Sequence, residues 1–390
     1  MTRAYFLGAG LHTCLGAGLS ANIDALFKKP PLPDEIIFHL REDSVHAPIL
    51  SFANEPLDLF GSRTDIEERF WRCLFGVVDE ALRAADLGAA DLAETALLIG
   101  TSSFDIVISE ADYREALTHN PNIEPLKGNT GMGAVGAALR KRFGIGGPDM
   151  AFNTACTASA NALLYGDAMV RAGLTRHAII VGVEACNLIT ALGFGSLGLL
   201  ARDGMRPFDA NRRGLIIGEA CAALVIGPKR RHEHAFHLSG GANICDTHGI
   251  STANPDGESV ADVMIQALKK ANIETSAIRS VKTHGTATLM NDEAEASGLK
   301  RVFNTLPALC ALKPFIGHSF GACGLSELLL HCGMVERGYI PATPGICAEE
   351  SDLGVRLAQT PSPTEPGAHL LNYFGFGGNS TCLVVSNADA

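Results

Sequence analysis

Residues Phe152–Leu164 read FNTACTASANALL, which predicts the end of a strand, a short turn and a helix of small residues. Cys156 stands at the start of that helix. The free N–H groups and the dipole of a helix N-terminus favour an anion, so we expect the pKa of the Cys156 thiol to fall and its thiolate to act as a nucleophile. Because cysteine is among the most buried residue types, the stretch alone fits a structural thiol equally well.

Length and composition describe a chain with a large interior. The 390 residues, 47% of them hydrophobic, are enough for two core-sized halves. The formal net charge of −11 argues against general nucleic-acid binding, which needs a basic surface, and leaves room for a local basic patch only. No uncharged apolar run reaches the ~18 residues of a membrane span.

The eleven cysteines are scattered, odd in number and without CxxC spacing. This pattern indicates neither a zinc knuckle nor a disulfide framework. Met1–Gly10 reads as a strand that runs into a glycine turn and lacks the cleavage pattern of a signal peptide. We therefore expect a cytoplasmic protein.

Apolar spacing predicts helices that alternate with short buried strands. Asp65–Leu87 has the spacing of an amphipathic helix, and Ala178–Glu184 reads as a buried strand. We expect a helix within Leu11–Phe27, an irregular excursion over Lys28–Gly61, and a helix and loop over Val107–Asn129. The alternation predicts a largely parallel sheet covered on both faces.

Two segments repeat one order of elements. Met150–Arg171 and Ala308–Arg337 each run from a strand through a turn into a helix of small residues, and their turns carry Cys156 and His318. Two halves packed about a two-fold axis would bring these turns to one site. The alternative is that the two strand–helix units look alike by chance.

Three further stretches place reactive side chains at the ends of predicted elements: THGTAT at 283–288, LKPFIGHSFGACG at 312–324 and FGFGG at 374–378. Singly, each has a structural explanation. Together with a cysteine at a helix start, they supply a nucleophile, the imidazoles of His284 and His318, and the cation of Lys313. This combination indicates catalysis.

These four blocks resemble the motifs of the β-ketoacyl-acyl-carrier-protein synthases, the elongating condensing enzymes of the thiolase superfamily. Arg206–Asp209, RPFD, and the pair Gly218-Glu219 resemble a further segment of that family. The resemblance implies an α/β thiolase fold of five layers, αβαβα. It also implies two pseudo-repeated halves, residues 1–240 and 241–390, in one compact unit that pairs as a dimer.

The resemblance also implies catalytic roles. Cys156 would accept an acyl chain from a carrier-protein thioester. His284 and His318 would hydrogen-bond the carbonyl of the malonyl thioester and stabilise the enolate formed on decarboxylation. Lys313 would set the electrostatics and protonation of His318.

Four further residues match supporting positions of the family. The backbone N–H groups of Cys156 and Phe376 would form the oxyanion hole, and Phe376 would also gate the acyl pocket. Thr286 and Thr288 would contact the phosphopantetheine arm. Glu327 matches a buried acid.

The implied reaction is a decarboxylative Claisen condensation of an acyl-enzyme thioester with malonyl-acyl-carrier protein, in fatty-acid, polyketide or polyene-type synthesis. It needs no metal and no redox cofactor, because the phosphopantetheine belongs to the carrier protein. The expected partners are that acyl carrier protein and a second subunit, in a homodimer or a heterodimer with a related ketosynthase subunit. The carrier is acidic, so a local basic patch is expected. The candidate residues are Arg63, Arg69, Arg72, Arg140, Lys141, Arg142 and Arg206.

The sequence departs from the family over Thr101–Gly128, which is short, and at Asn372-Tyr373, which precede the Phe-Gly run. These departures indicate a specialised member serving a polyketide or aryl-polyene type of pathway. Two alternatives stay open. One is a chain-length-factor-like partner subunit of another ketosynthase. The other is a thiolase acting on CoA thioesters, with Cys323 or Cys382 as its second cysteine.

Overall fold

The structure is a computed structural model that describes residues 3–40, 43–119, 131–348 and 353–388. Its strands are β1 (Tyr5–Thr13), β2 (Gly16–Ala17), β3 (Asp34–Leu40), β4 (Asp43–Leu50), β5 (Ala96–Gly100), β6 (Asp149–Phe152), β7 (Ala178–Glu184), β8 (Ile217–Gly218), β9 (Ala220–Gly227), β10 (His237–Cys245), β11 (Ile278–Lys282), β12 (Ala308–Cys310), β13 (Tyr339–Ile340), β14 (Ser362–Pro363), β15 (Ala368–Gly375) and β16 (Asn379–Ser386). Its helices are α1 (Leu19–Ala25), α2 (Arg63–Ala85), α3 (Ala89–Leu92), α4 (Ile106–His119), α5 (Ala134–Phe143), α6 (Ala158–Arg171), α7 (Leu188–Ser196), α8 (Glu258–Ala271), α9 (Leu289–Val302), α10 (Lys313–Ile316) and α11 (Cys323–Glu336). Short 3-10 turns lie at Ala155–Thr157, Thr275–Ala277, Phe320–Ala322 and Phe376–Gly378.

The main sheet consists of two five-stranded halves with the same topology and of β2, which pairs with the end of β1. The first half has the order β6-β5-β7-β9-β1, and the second has the order β12-β11-β15-β16-β10. In each half the three outermost strands pair in parallel and the other two pair antiparallel. The halves meet at one residue pair, Tyr5 with His237. The repeat predicted from the two strand–helix units is therefore present in the sheet.

The helices form three layers around this sheet. α6 packs against strands of both halves, and α11 packs beside α6. α11 reaches the second half through His331 and Glu327, which contact β11. α2 covers β1 and β9, while α8 covers β10 and β16 with α9 behind it. This arrangement is the predicted five-layered αβαβα fold.

Several local predictions are wrong. Lys28–Gly61 is not irregular throughout, because β3 and β4 form an antiparallel ribbon in it. The predicted helix over Leu11–Phe27 is confined to α1, since its first residues extend β1. α7 was not predicted. Part of Val107–Asn129 lies outside the described residues, and the rest belongs to α4.

The predicted boundary between residues 240 and 241 falls inside β10. This strand pairs with β16 of the second half from His237 to Cys245. We propose that the halves divide just before His237 instead.

α6 and α11 pack at a distance that only small residues permit. A Cβ atom on Gly324 of α11 would lie 2.4 Å from the backbone nitrogen of Ala160 in α6, and one on Gly100 of β5 would lie 2.2 Å from that of Ser159, so α6 is also packed tightly against the sheet. Both distances are far below a van der Waals contact. The small residues of both helices thus allow the starts of α6 and α11 to meet.

No helix in the described ranges is long and apolar enough to cross a membrane.

We predict that Gly324→Ala destabilises the protein by about 1–3 kcal/mol, because the new methyl group must push α6 and α11 apart. Gly76→Ala in α2 is the matched control, since its new Cβ meets nothing within 4 Å. It should stabilise the protein by about 0.5–1 kcal/mol through helix propensity. Urea unfolding measures both, and equal stabilities of the two variants would contradict the close packing.

Candidate active site

A cavity of about 500 Å³ lies where the two halves meet. Cys156 from the first half and His284 and His318 from the second line it. Phe376 lines the same cavity, so four of the residues singled out in separate sequence blocks come together. The repeat brings them there, because the turns after β6, β11 and β12 and the turn after β15 all face one point.

Cys156 lies in a tight 3-10 turn directly before α6. Ala155 has a φ of 51°, a left-handed conformation that costs a non-glycine residue about 1–2 kcal/mol. Gly375 packs closely against this turn. A Cβ atom added to Gly375 would lie 3.1 Å from the backbone nitrogen of Cys156. The backbone N–H groups of Cys156 and Phe376 both donate toward the thiol sulfur. These are the two groups expected to form an oxyanion hole.

The expected fall in the pKa of the thiol is not found. Burial raises the pKa of Cys156 to about 12, opposed by the charge of Lys313 and assisted by the charge of Glu184. The two backbone N–H groups also lower the pKa but do not compensate for the loss of water. The resting nucleophile is therefore a thiol that must pass on its proton when it attacks.

His318 is placed to exchange that proton. Its Nε2 lies 3.1 Å from the sulfur of Cys156, and its backbone N–H donates to the carbonyl of Ile216 at 2.7 Å. Burial, followed by the charges of Lys313 and Lys282, lowers the pKa of His318 well below its usual value. A neutral imidazole can either accept from the thiol or donate, according to its tautomer.

His284 has a fixed tautomer. The Lys313 ammonium lies 3.2 Å from Nδ1 of His284 and donates to its backbone carbonyl at 2.6 Å. Because an ammonium group has only hydrogens to offer, Nδ1 must be the acceptor and Nε2 must carry the hydrogen. Burial and the charge of Lys313 lower the pKa of His284 well below its usual value. His284 is thus a neutral donor through Nε2, with its ring centroid 5.5 Å from that of His318.

Lys313 belongs to a completely buried ion cluster. Its Nζ lies 2.8 Å from one oxygen of Glu327, and the Nζ of Lys282 lies 2.7 Å from the other. The direct contact of Lys313 is with His284, so it acts on His318 only through its charge. Sequence reasoning missed Lys282, although a lysine at the end of a buried strand is itself an unusual signal.

Three aromatic rings form a continuous stack beside the thiol. Phe376 stacks on Phe194 at 5.5 Å between centroids, and Phe194 packs on Phe320 at 4.8 Å. Phe320 in turn lies 4.7 Å from the ring of His318. Phe194 was not predicted, because it lies on the unpredicted helix α7.

Thr286 and Thr288 line the cavity together, and their hydroxyl groups lie 2.9 Å apart. Polar side chains here suit a ligand that carries amide groups along its length.

None of the seven candidate basic residues lines the cavity. Arg69 cannot contribute to a surface patch, because its guanidinium forms a two-bond pair with the buried Glu219. Arg206 is paired with Asp203. The cavity is lined instead by Arg212 and the exposed Arg213.

Among the described residues, the group with the spacing to hold a metal ion is Cys156, His284 and His318, whose ligand atoms lie within 4.8 Å of one another. Two ammonium groups lie behind the imidazoles, and their charge opposes a bound cation. The prediction that the reaction uses no metal and no cofactor stays a prediction.

Family models match most of the chain. The model for the β-ketoacyl synthase N-terminal domain matches residues 62–232, and the model for its C-terminal domain matches residues 235–346. The chain belongs to the β-ketoacyl synthase family.

Curated relatives carry the same kind of name. A protein of Schizosaccharomyces pombe called putative 3-oxoacyl-[acyl-carrier-protein] synthase, mitochondrial, is 30% identical over 63% of this chain and 63% of its own length. The chloroplastic 3-oxoacyl-[acyl-carrier-protein] synthase I of Arabidopsis thaliana is 28% identical over 79% of this chain and 70% of its own length. The alignment with synthase II of the same plant spans 52% of that relative.

Solved ketosynthases share the fold over the full chain. A ketosynthase in complex with its chain length factor from Xenorhabdus doucetiae has a TM-score of 0.81 and 24% identity over 99% of this chain and 98% of its own. The ishigamide ketosynthase/chain length factor has a TM-score of 0.84 and 23% identity over the whole of both chains.

We predict that the imidazoles of His284 and His318 stay neutral through the pH range in which an ordinary histidine titrates, because burial lowers the pKa of each well below its usual value. In protein labelled with ¹³C-histidine, their ring NMR signals should not shift between pH 8 and pH 6. His284→Asn and His318→Asn assign the signals. A midpoint near pH 6.5 for either residue would contradict the derived neutrality.

Proposed function

We propose that this chain is a β-ketoacyl-acyl-carrier-protein synthase that joins an acyl chain to a malonyl unit with loss of carbon dioxide. The observation that carries the proposal is the position of a thiol within 3.1 Å of one neutral imidazole, beside a second imidazole whose tautomer Lys313 fixes as a donor. This arrangement supplies both a nucleophile and a pair of donors for an enolate.

The first half-reaction transfers an acyl group. The sulfur of Cys156 attacks the carbonyl carbon of an acyl thioester while His318 takes the thiol proton. The oxyanion that forms accepts from the backbone N–H groups of Cys156 and Phe376. The carrier thiolate then leaves and takes up the proton, so the enzyme holds a thioester and the carrier a free thiol.

The second half-reaction forms the carbon–carbon bond. A malonyl thioester loses carbon dioxide, and the electron pair of the broken bond becomes an enolate. Its oxygen accepts from Nε2 of His284 and from Nε2 of His318, which for this step is in the neutral tautomer that carries its hydrogen on Nε2. The enolate carbon attacks the acyl carbonyl on Cys156, and the same two backbone N–H groups hold the new oxyanion. Collapse expels the Cys156 sulfur as a thiolate and releases the β-ketoacyl thioester, and the thiolate takes up one proton from water to restore the resting thiol. The lowered pKa values of the imidazoles mean that both rings are neutral, and a neutral imidazole can still stabilise the enolate by donating a hydrogen bond through the nitrogen that carries its hydrogen.

The partner that delivers both thioesters must cover the cavity mouth. The rim of that mouth carries four large apolar side chains that are exposed by 46–85%, namely Leu197, Ile250, Leu289 and Met290. We propose that a carrier protein docks here, with its pantetheine arm passing Thr286 and Thr288. The rim predicts docking that depends on apolar contact in addition to the charge of Arg213.

A cytoplasmic location agrees with the eleven cysteines, all of which are free thiols in the described ranges. A specialised polyketide or polyene pathway, and the choice between a homodimer and a heterodimer, are further parts of the proposal. They rest on the departures of the sequence and on the ketosynthase–chain length factor complexes among the structures of like fold.

We predict that purified protein, given an acyl thioester of a carrier protein, gains the mass of the acyl group on Cys156. It should then release carbon dioxide from malonyl-carrier protein. Cys156→Ser should lose the adduct and at least ~10³-fold of the condensation rate, because the nucleophile is gone. Cys347→Ser, which removes an exposed thiol away from the cavity, should retain both.

Two results would favour the alternative functions. If adduct and carbon dioxide form only after a second synthase subunit is added, the chain is a chain-length-factor-like partner. If the protein cleaves acetoacetyl-CoA with CoA alone, it is a thiolase.

The rim makes a separate prediction about docking. The double variant Ile250→Ser and Leu289→Ser should raise KM for malonyl-carrier protein about 10-fold, and raise KM for malonyl-pantetheine at least fivefold less. Raising the salt from 0.05 M to 0.5 M should change the wild-type KM for the carrier less than threefold. A steep salt dependence that Arg213→Ala removes would show that charge dominates docking.

A further inference from the structure

Lys282, the last residue of β11, is a completely buried lysine outside the cavity wall. Its ammonium group has an acceptor for each of its three hydrogens. Nζ donates to Glu327 Oε2 at 2.7 Å and to the carbonyl of Asn372 at 2.8 Å, and it lies 3.7 Å from the ring centroid of Tyr373. A neutral amine has only two hydrogens and would leave one of these acceptors without a donor. These contacts therefore favour the charged form, against the burial that lowers the pKa of Lys282.

Glu327 is shared between two cations. Lys282 takes one carboxylate oxygen and Lys313 takes the other. One carboxylate cannot neutralise two ammonium groups, so the ionised cluster keeps a net positive charge. Burying an unbalanced charge is costly, and such an arrangement is unusual unless the charge has a use.

The excess charge lies directly behind the imidazoles. Lys313, the second cation, contacts both Nδ1 and the backbone carbonyl of His284. If Lys282 were absent, Glu327 and Lys313 would form a neutral pair. The field at His284 and His318 would then fall, although no group that touches substrate had changed.

We propose that Lys282 is a positioning residue for decarboxylation: by sharing Glu327 with Lys313, it keeps a net positive charge behind His284 and His318. This charge holds both imidazoles neutral and stabilises the developing enolate. The inference rests on the proposed condensing function. It concerns the second half-reaction, because Lys313 directly contacts His284, the imidazole that donates to the enolate formed in that step.

Several ionisable groups face the imidazoles. They are Cys156, Lys282, Glu295, Lys313 and Glu327. Burial raises the pKa of Glu295 to about 7, and this carboxyl accepts from the backbone N–H groups of His284 and Gly285. Glu295 is present in every variant below, so its titration cancels in the comparison.

The decisive variant is Lys282→Met, which keeps the length of the side chain and removes its charge. The rate of carbon dioxide release from malonyl-pantetheine should fall about 10-fold with KM changed less than twofold. The acid limb of its pH–rate profile should move up by about one pH unit, because the imidazoles protonate more readily. Acylation of Cys156 by an acyl-pantetheine should change less than threefold.

Glu327→Gln tests the opposite change, because it removes a negative charge from the cluster and not a positive one. It removes the carboxylate and leaves both lysines, so the charge behind the imidazoles does not fall and the acid limb should not move up. If Lys282 had only a structural role, both variants would lose activity, and the acid limbs of their pH–rate profiles would stay at the wild-type position. Equal upward movement in both would also overturn the proposal.

The protonation of the two imidazoles can also be measured by NMR, without any catalytic turnover. In ¹³C-histidine-labelled protein, Lys282→Met should raise the midpoint of the His284 and His318 signals relative to wild type, and Glu327→Gln should not. Unmoved signals in Lys282→Met protein that keeps its circular dichroism spectrum would refute the proposal even if the enzyme condenses. Conversely, if the wild-type protein proves not to catalyse the proposed condensation, the NMR midpoints of His284 and His318 can still be compared between the variants.

Discussion

The contact between the starts of α6 and α11 is the constraint on which the rest of the site depends. Each helix belongs to one half of the repeat, and the glycine at 324 lets its partner approach to a distance at which no side chain fits. That approach places the turn with Cys156 beside the turn with His318, 162 residues away along the chain. Catalytic geometry is thus a consequence of backbone packing between two like halves, not of a flexible loop.

Electrostatics then determine what the assembled groups can do. Every reactive side chain at the site is buried, and burial alone drives each of them toward its neutral form. The thiol keeps its proton and the imidazoles lose theirs. The charged groups lie behind the imidazoles, where the carboxylate of Glu327 lies between the ammonium groups of Lys282 and Lys313. The site therefore presents neutral donors to the substrate within a positive field.

The sequence predicted the repeat and the main site residues because both depend on local signals: alternating elements, glycine turns and reactive side chains at element ends. Phe194 and Lys282 were missed for a different reason. The role of each comes from a contact with a distant residue, Phe376 and Glu327 respectively. A lysine at the end of a buried strand is an unusual local signal, but it does not reveal the partner of Lys282. The ribbon of β3 and β4 was missed because the stretch Lys28–Gly61 as a whole is rich in proline and polar residues, which obscured the apolar residues of the two strands.

The prediction that the pKa of the Cys156 thiol falls was wrong for a similar reason, because it used a local signal and not the surroundings that distant residues provide. A helix start lowers the pKa of a thiol less where the sulfur is withdrawn from water, and Cys156 is buried, with Gly375 packed against its turn. A protonated thiol next to a neutral imidazole is a stable resting pair that costs no buried charge. Charge separates only when a thioester carbonyl arrives to accept it at the two backbone N–H groups. Enclosure thus protects the nucleophile between turnovers and couples its activation to the presence of substrate.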